Sequence, residues 1–166
     1  MTNKGDEAAK DRYVRESDAI QRFFGRPFFL SLTIGIPFCA YKLLFGVTAV
    51  RVASLFPAEL LAFGWVVIAW AGIDLLMNAG RAIFDVFGKP VTFEYCIIAQ
   101  IGKYFRMPMV FLALDTILSF LIIVMMLWSG WITLLTQPEL YLWYVATTLN
   151  LISLSVVSLY NEIRRA

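Results

Sequence analysis

Histidine is absent from this chain of 166 residues, and cysteine occurs only twice, as Cys39 and Cys96. Without histidine the chain by itself supplies no His-ligated haem, no two-histidine, one-carboxylate iron and no histidine-based zinc site or general base. The two cysteines form no CxxC pair and are expected at different depths, one in the first apolar run and one in a loop, as free and inert thiols. A glycine-rich phosphate loop and a nucleophile–base pairing are missing as well. No cofactor and no metal site is therefore expected, and the chain is not expected to be an enzyme. Acid–base chemistry on a lipid or quinone at a membrane interface ranks last among the readings.

Charge is also scarce. Asp, Glu, Lys and Arg make up 16% of the residues and hydrophobic types 60%, against roughly 25% and 45–50% in soluble domains. Gathered into long runs, an excess of that size means membrane. The apolar stretches cover residues 28–50, 59–80, 109–136 and 140–161, each reaching the ~20 residues that a helix needs to cross ~30 Å of hydrocarbon. None alternates as a membrane β-strand does. The fold class expected is an all-α integral membrane protein, a bundle of four transmembrane helices. Residues 1–27 form a cytoplasmic segment, 28–161 the membrane domain and 162–166 a short tail.

The positive charge lies mostly on one side. Lys4, Lys10, Arg12, Arg15, Arg22 and Arg26 precede the first span, Arg81, Lys89, Lys103 and Arg106 fall between the second and third, and Arg164 and Arg165 close the chain. The other side holds Arg51 with Glu59 and Glu139. The positive-inside rule places both termini and the central loop in the cytoplasm, as in a bacterial inner membrane. No cleavable signal peptide is expected, because the first apolar run has spanning length and follows a polar segment. Residues 6–24 read as an amphipathic helix, with Ala9, Tyr13, Ile20 and Phe24 at helical spacing and Asp11–Arg15 and Asp18–Arg22 as i,i+4 pairs. Residues 93–106 repeat the pattern, with Phe93, Ile97, Ile101, Tyr104 and Phe105 on one face, and are expected to lie in the headgroup layer or on a partner.

Within this apolar background the intramembrane polar residues are the candidates for function. Asp74 lies seven residues before Arg81, about 10 Å inside the membrane, and Asp115 nine beyond Arg106, about 13 Å inside, so the two share a level on consecutive antiparallel helices. They can share a proton or cation, or each can make its own bond, Asp74 to Asn78 and Asp115 to Thr116 or Ser119. In the last span Thr147, Asn150, Ser158 and Asn161, with Leu154 between them, follow a rhythm of three to four residues, as a hydrated seam or as ordinary interhelical bonds. Lys42 counts as about 22 Å above Pro27, too high to neutralise the aspartates directly unless Gly35 and Pro37 kink its helix. The candidate polar site is thus Asp74, Asp115, Asn78, Asn150 and Lys42. Gly35 and Gly46, on the face of Lys42, and Gly64, Gly72 and Gly80 on the second span are the candidate helix-contact residues, with Asp74 on the opposite side of that span.

The layout of four helices with acids low in the second and third resembles a voltage-sensor domain. The last span carries no basic residue, which excludes sensing by that mechanism. An amphipathic segment after the second of four spans is also similar in layout to the small subunit of tripartite substrate-transport systems, an architectural likeness without a shared motif. The function expected is that of a non-catalytic structural or accessory subunit of a membrane assembly. The alternative is a homo-oligomeric ion channel or transport component in which Asp74 and Asp115 pass cations or protons. Expected partners are the lipid bilayer and other membrane subunits or copies of the chain, and no nucleic acid.

Overall fold

A computed structural model describes residues 23–55 and 58–165, which are 86% helical and contain no strand. The amphipathic helix expected over residues 6–24 falls, apart from its last two residues, outside the described residues. Four helices are long and apolar enough to cross a membrane: α1 (Pro27–Val52), α2 (Ala58–Val86), α4 (Pro108–Trp128) and α5 (Gln137–Arg165, apolar as far as Leu159). A short helix, α3 (Ile97–Tyr104), lies between α2 and α4.

Prolines shape α1. Pro27 occupies the first turn, where its fixed φ suits a helix and its missing N–H is not needed. The N–H of Phe28 is capped from α2 by Asp85 Oδ2 at 3.2 Å. Pro37 then cannot donate to the turn before it, and its ring crowds the carbonyl four residues back. The helix accommodates both by widening to a π turn over Ser31–Gly35, in which the Ile36 N–H reaches the Ser31 carbonyl. The π turn lies where the sequence reading allowed a kink at Gly35 and Pro37.

Two helix ends differ from the sequence reading. The second span continues past Gly80 to Val86, because Arg81 does not mark its end. The Arg81 guanidinium folds back to donate to the Phe93 carbonyl and lies 3.8 Å from the centre of the Tyr95 ring. Termination comes at Gly88, whose φ of +65° allows the Lys89 N–H to close on the Phe84 carbonyl at 2.9 Å, with Pro90 following. The third span stops at Trp128, well short of Thr136. Gly130 turns left-handed at φ +73°, and Thr136 is already the cap of α5, its N–H donating to the Glu139 carboxylate at 2.7 Å, one half of a capping box. Arg51 binds this corner, donating to the Leu134 carbonyl at 2.9 Å and to Glu139 Oε1 at 2.7 Å.

α1 is the hub of the bundle. Over half of its membrane-length stretch is buried, 56%, against 22%, 22% and 17% for α2, α4 and α5. It contacts all three, while they share no substantial interface with one another. Gly46 and Gly64 let α1 and α2 cross closely: a Cβ on either would stand 3.0–3.1 Å from the other's carbonyl oxygen. Tyr41 donates to Thr147 at 2.9 Å and meets Trp143 edge-on, and Phe38 meets Phe120 in the same way. Between helices in lipid, close contact and polar links of this kind supply the attraction that the hydrophobic effect does not.

The glycine stripe of α2 is not a helix-contact face along its length. A Cβ on Gly72 would touch nothing within 4 Å, and Gly80 faces the Phe93 ring rather than a helix. Residues eight apart advance about 80° around a 3.6-residue helix, so the stripe drifts off the interface. The buried face of α2 instead carries Gly64, Val67, Ala71, Asp74, Asn78 and Ala82. Glycine crossing and polar site therefore share one side, not two.

Candidate functional site: a buried lysine between two aspartates

Lys42 lies between the two aspartates. Its ammonium donates to Asp74 Oδ2 at 2.9 Å and to Asp115 Oδ1 at 2.7 Å, and its nitrogen stands 4.1 Å from the centre of the Trp70 ring. Two carboxylates and an aromatic face thus accommodate all three N–H bonds of an ammonium. Lys42 and Asp74 have no solvent exposure and Asp115 only 6%. The expectation that Lys42 sits too high is corrected here. The depth of Asp74 was counted from Arg81, but α2 runs to Val86. From that end Asp74 is 12 residues in, about 18 Å, which a lysine side chain reaches from about 22 Å above Pro27.

The second oxygen of Asp74 accepts the Ile97 N–H at 2.8 Å, at the first turn of α3. The start of α3 is thereby tied to the buried site. Residues 89–96 fold back from Gly88 until the N-terminus of α3 meets Asp74, where the partial positive charge of a helix start favours a carboxylate. Two side chains of α2 hold this return. Asn78 Nδ2 donates to the Tyr95 carbonyl at 2.8 Å and to the Asp74 carbonyl at 3.0 Å, and Arg81 binds Phe93. Gly102 fits under Phe111, and Phe105 stacks on the same ring at 5.6 Å, which seats α3 on α4. Ile101, Tyr104 and Phe105 stay exposed.

Asp115 is less provided for. Ser119 donates to its backbone carbonyl and Thr116 to that of Leu112, so neither hydroxyl binds the carboxylate as the sequence reading allowed. Among the described residues only Lys42 donates to it, at Oδ1. Beside it is a cavity of about 310 Å³, bounded by Leu30, Ile34 and Phe38 of α1, Leu112 of α4 and the Asn78–Cys96 side of the α3 return. Asn150, named with these residues in the sequence reading, is half-buried on α5 and lines neither the triad nor the cavity. Trp70 precedes Asp74 by four residues, one helical turn, so its place beside the acid was legible in the sequence. The Ile97 amide and the Tyr95 carbonyl carry no such signal.

Cys39 and Cys96 are both free and buried. They are not far apart in level: Cys39 Sγ is 3.9 Å from Asn78 Nδ2, which also holds the carbonyl next to Cys96. Burial, followed by the nearby Asp115 carboxylate, pushes the Cys96 thiol up to about 12. It is therefore a neutral thiol at physiological pH, and the nucleophile in alkylation is the thiolate. Maleimide at neutral pH should leave both cysteines unlabelled in the folded protein and label both in denaturing SDS, as mass spectrometry would read.

Metal-ligating side chains do not cluster among the described residues. No known protein family, curated sequence or solved structure matches the chain.

Proposed function

We propose that the chain is an integral membrane protein with both termini in the cytoplasm, and that it serves as a non-catalytic structural subunit of a larger membrane assembly. The observation that carries this reading is the way Lys42 is used. Its ammonium is consumed in joining α1 to α2 and α4, helices that otherwise share no substantial interface. A charge spent in this manner fixes helix arrangement. The three outer helices leave long apolar faces open, among them Trp65, Leu76, Met109, Ile117 and Leu154, which suit lipid and neighbouring helices alike. Orientation rests on Arg26, Lys89, Lys103 and Arg106 at the end of the bundle where α1 starts, against an Arg51 already paired with Glu139 at the other.

Extraction from native membranes in a mild detergent tests the reading directly. The chain is expected to migrate with other polypeptides in a stable complex on native electrophoresis. A partner-free monomer under conditions that keep known complexes intact would refute it.

A further inference from the structure

The cavity beside Asp115 has a composition of its own. Its volume of about 310 Å³ falls at the lower end of the ~300–1,000 Å³ typical of small-molecule sites. Leu30, Ile34, Phe38 and Leu112 make most of its wall apolar. At the polar end the donors are already engaged. The ammonium of Lys42 is taken by Asp74, Asp115 and the Trp70 face. The amide hydrogens of Asn78 go to two carbonyls, and the Thr116 hydroxyl donates to Leu112. Apart from the Tyr95 hydroxyl and the Cys96 thiol, what remains is acceptors. Asp115 Oδ2 has no donor among the described residues. Asn78 is 2% exposed, and its Oδ1, which has no partner among the described residues either, is closed off against Gly35 and adds an unmatched acceptor behind the cavity wall. Charge points the same way, since two carboxylates face one ammonium.

We propose that this cavity binds a small lipophilic ammonium ion, a protonated amine that donates to Asp115 Oδ2 and whose apolar body lies along Leu30, Ile34, Phe38 and Leu112. An inorganic cation fits less well, because its coordination shell needs several oxygens where this wall is mostly hydrocarbon. A carboxylate amphiphile would meet Asp115 with like charge. A neutral alcohol would leave the surplus charge unmatched. The site does not depend on whether the chain has partner subunits.

The test uses the full chain in detergent micelles at neutral pH, titrated with hexylammonium chloride and, in parallel, with hexanol, sodium hexanoate and sodium chloride. Calorimetric affinity and the thermal midpoint are the readouts. Hexylammonium alone is expected to bind and raise the midpoint. Asp115→Asn should weaken binding at least about tenfold, the loss of one buried charge pair. Leu112→Trp, which fills the cavity and leaves the triad alone, should abolish binding; should Asp115→Asn fail to fold, this variant decides. Four outcomes overturn the proposal: no binding at millimolar amine, an equal response to hexanol, protection by sodium, which would make the site one for an inorganic ion, or full affinity in Leu112→Trp, which would place the amine elsewhere.

Discussion

Lys42→Met is expected to be among the most destabilising single substitutions in the chain, by about 3–5 kcal/mol, the usual cost of stranding buried charge when its partner is removed. Methionine keeps much of the volume, so the loss is electrostatic rather than steric. Two carboxylates would then face each other in the interior, one of them supported only by the Ile97 amide. The single acid variants should cost less. Asp115→Asn leaves Lys42 paired with Asp74 at a net charge of zero, and Asp74→Asn leaves it paired with Asp115 but weakens the hold on α3. Lys42→Met combined with Asp74→Asn and Asp115→Asn should recover most of the stability, because a neutral interior costs little once no charge is stranded. Unfolding in mixed SDS micelles measures all four variants. A loss below about 1 kcal/mol for Lys42→Met would show that the triad does not hold the bundle together.

The same triad shows how far the sequence could be read. Four apolar runs, the acids within them and the small residues around Lys42 follow from composition and periodicity, and the structure has helices where those runs lie. The depth of Asp74 did not follow, because it was measured from Arg81, and an arginine marks the end of a helix only when its charge needs water. Arg81 finds a carbonyl and an aromatic face inside the fold instead. The return of residues 89–96 was illegible for a related reason. Amphipathic periodicity places Ile97 on the apolar face of a helix but says nothing of the helix start meeting a carboxylate, since the donor is a backbone N–H that every residue but proline has. The third span was read too long because Trp131, Ile132, Leu134 and Leu135 continue its hydropathy. What stops it is a left-handed glycine and the cap of the next helix.

Glycine substitutions should separate the real contacts among the candidate helix-contact glycines from the apparent ones. Gly35 and Gly72 both have helical surroundings, and Gly35 itself has φ −62° and ψ −53°, so alanine is compatible with its backbone. Their neighbours differ. A Cβ on Gly35 would overlap the Asn78 carboxamide, whereas one on Gly72 would meet nothing within 4 Å. Gly35→Ala must therefore displace Asn78 and loosen its bonds to the Tyr95 and Asp74 carbonyls. Overfilling and lost buried hydrogen bonds together should cost about 2–4 kcal/mol. Gly72→Ala should instead be neutral or stabilising by up to about 1 kcal/mol, through helix propensity alone. In an Asn78→Ala background the Gly35→Ala cost should fall below about 1 kcal/mol, since the obstructing group is gone and the two sites are directly coupled. SDS unfolding midpoints of the singles and the double close this cycle. Equal effects at positions 35 and 72, or a Gly35→Ala cost that persists without Asn78, would mean that the α1–α2 crossing is not held where the carboxamide of Asn78 meets the bare backbone of Gly35.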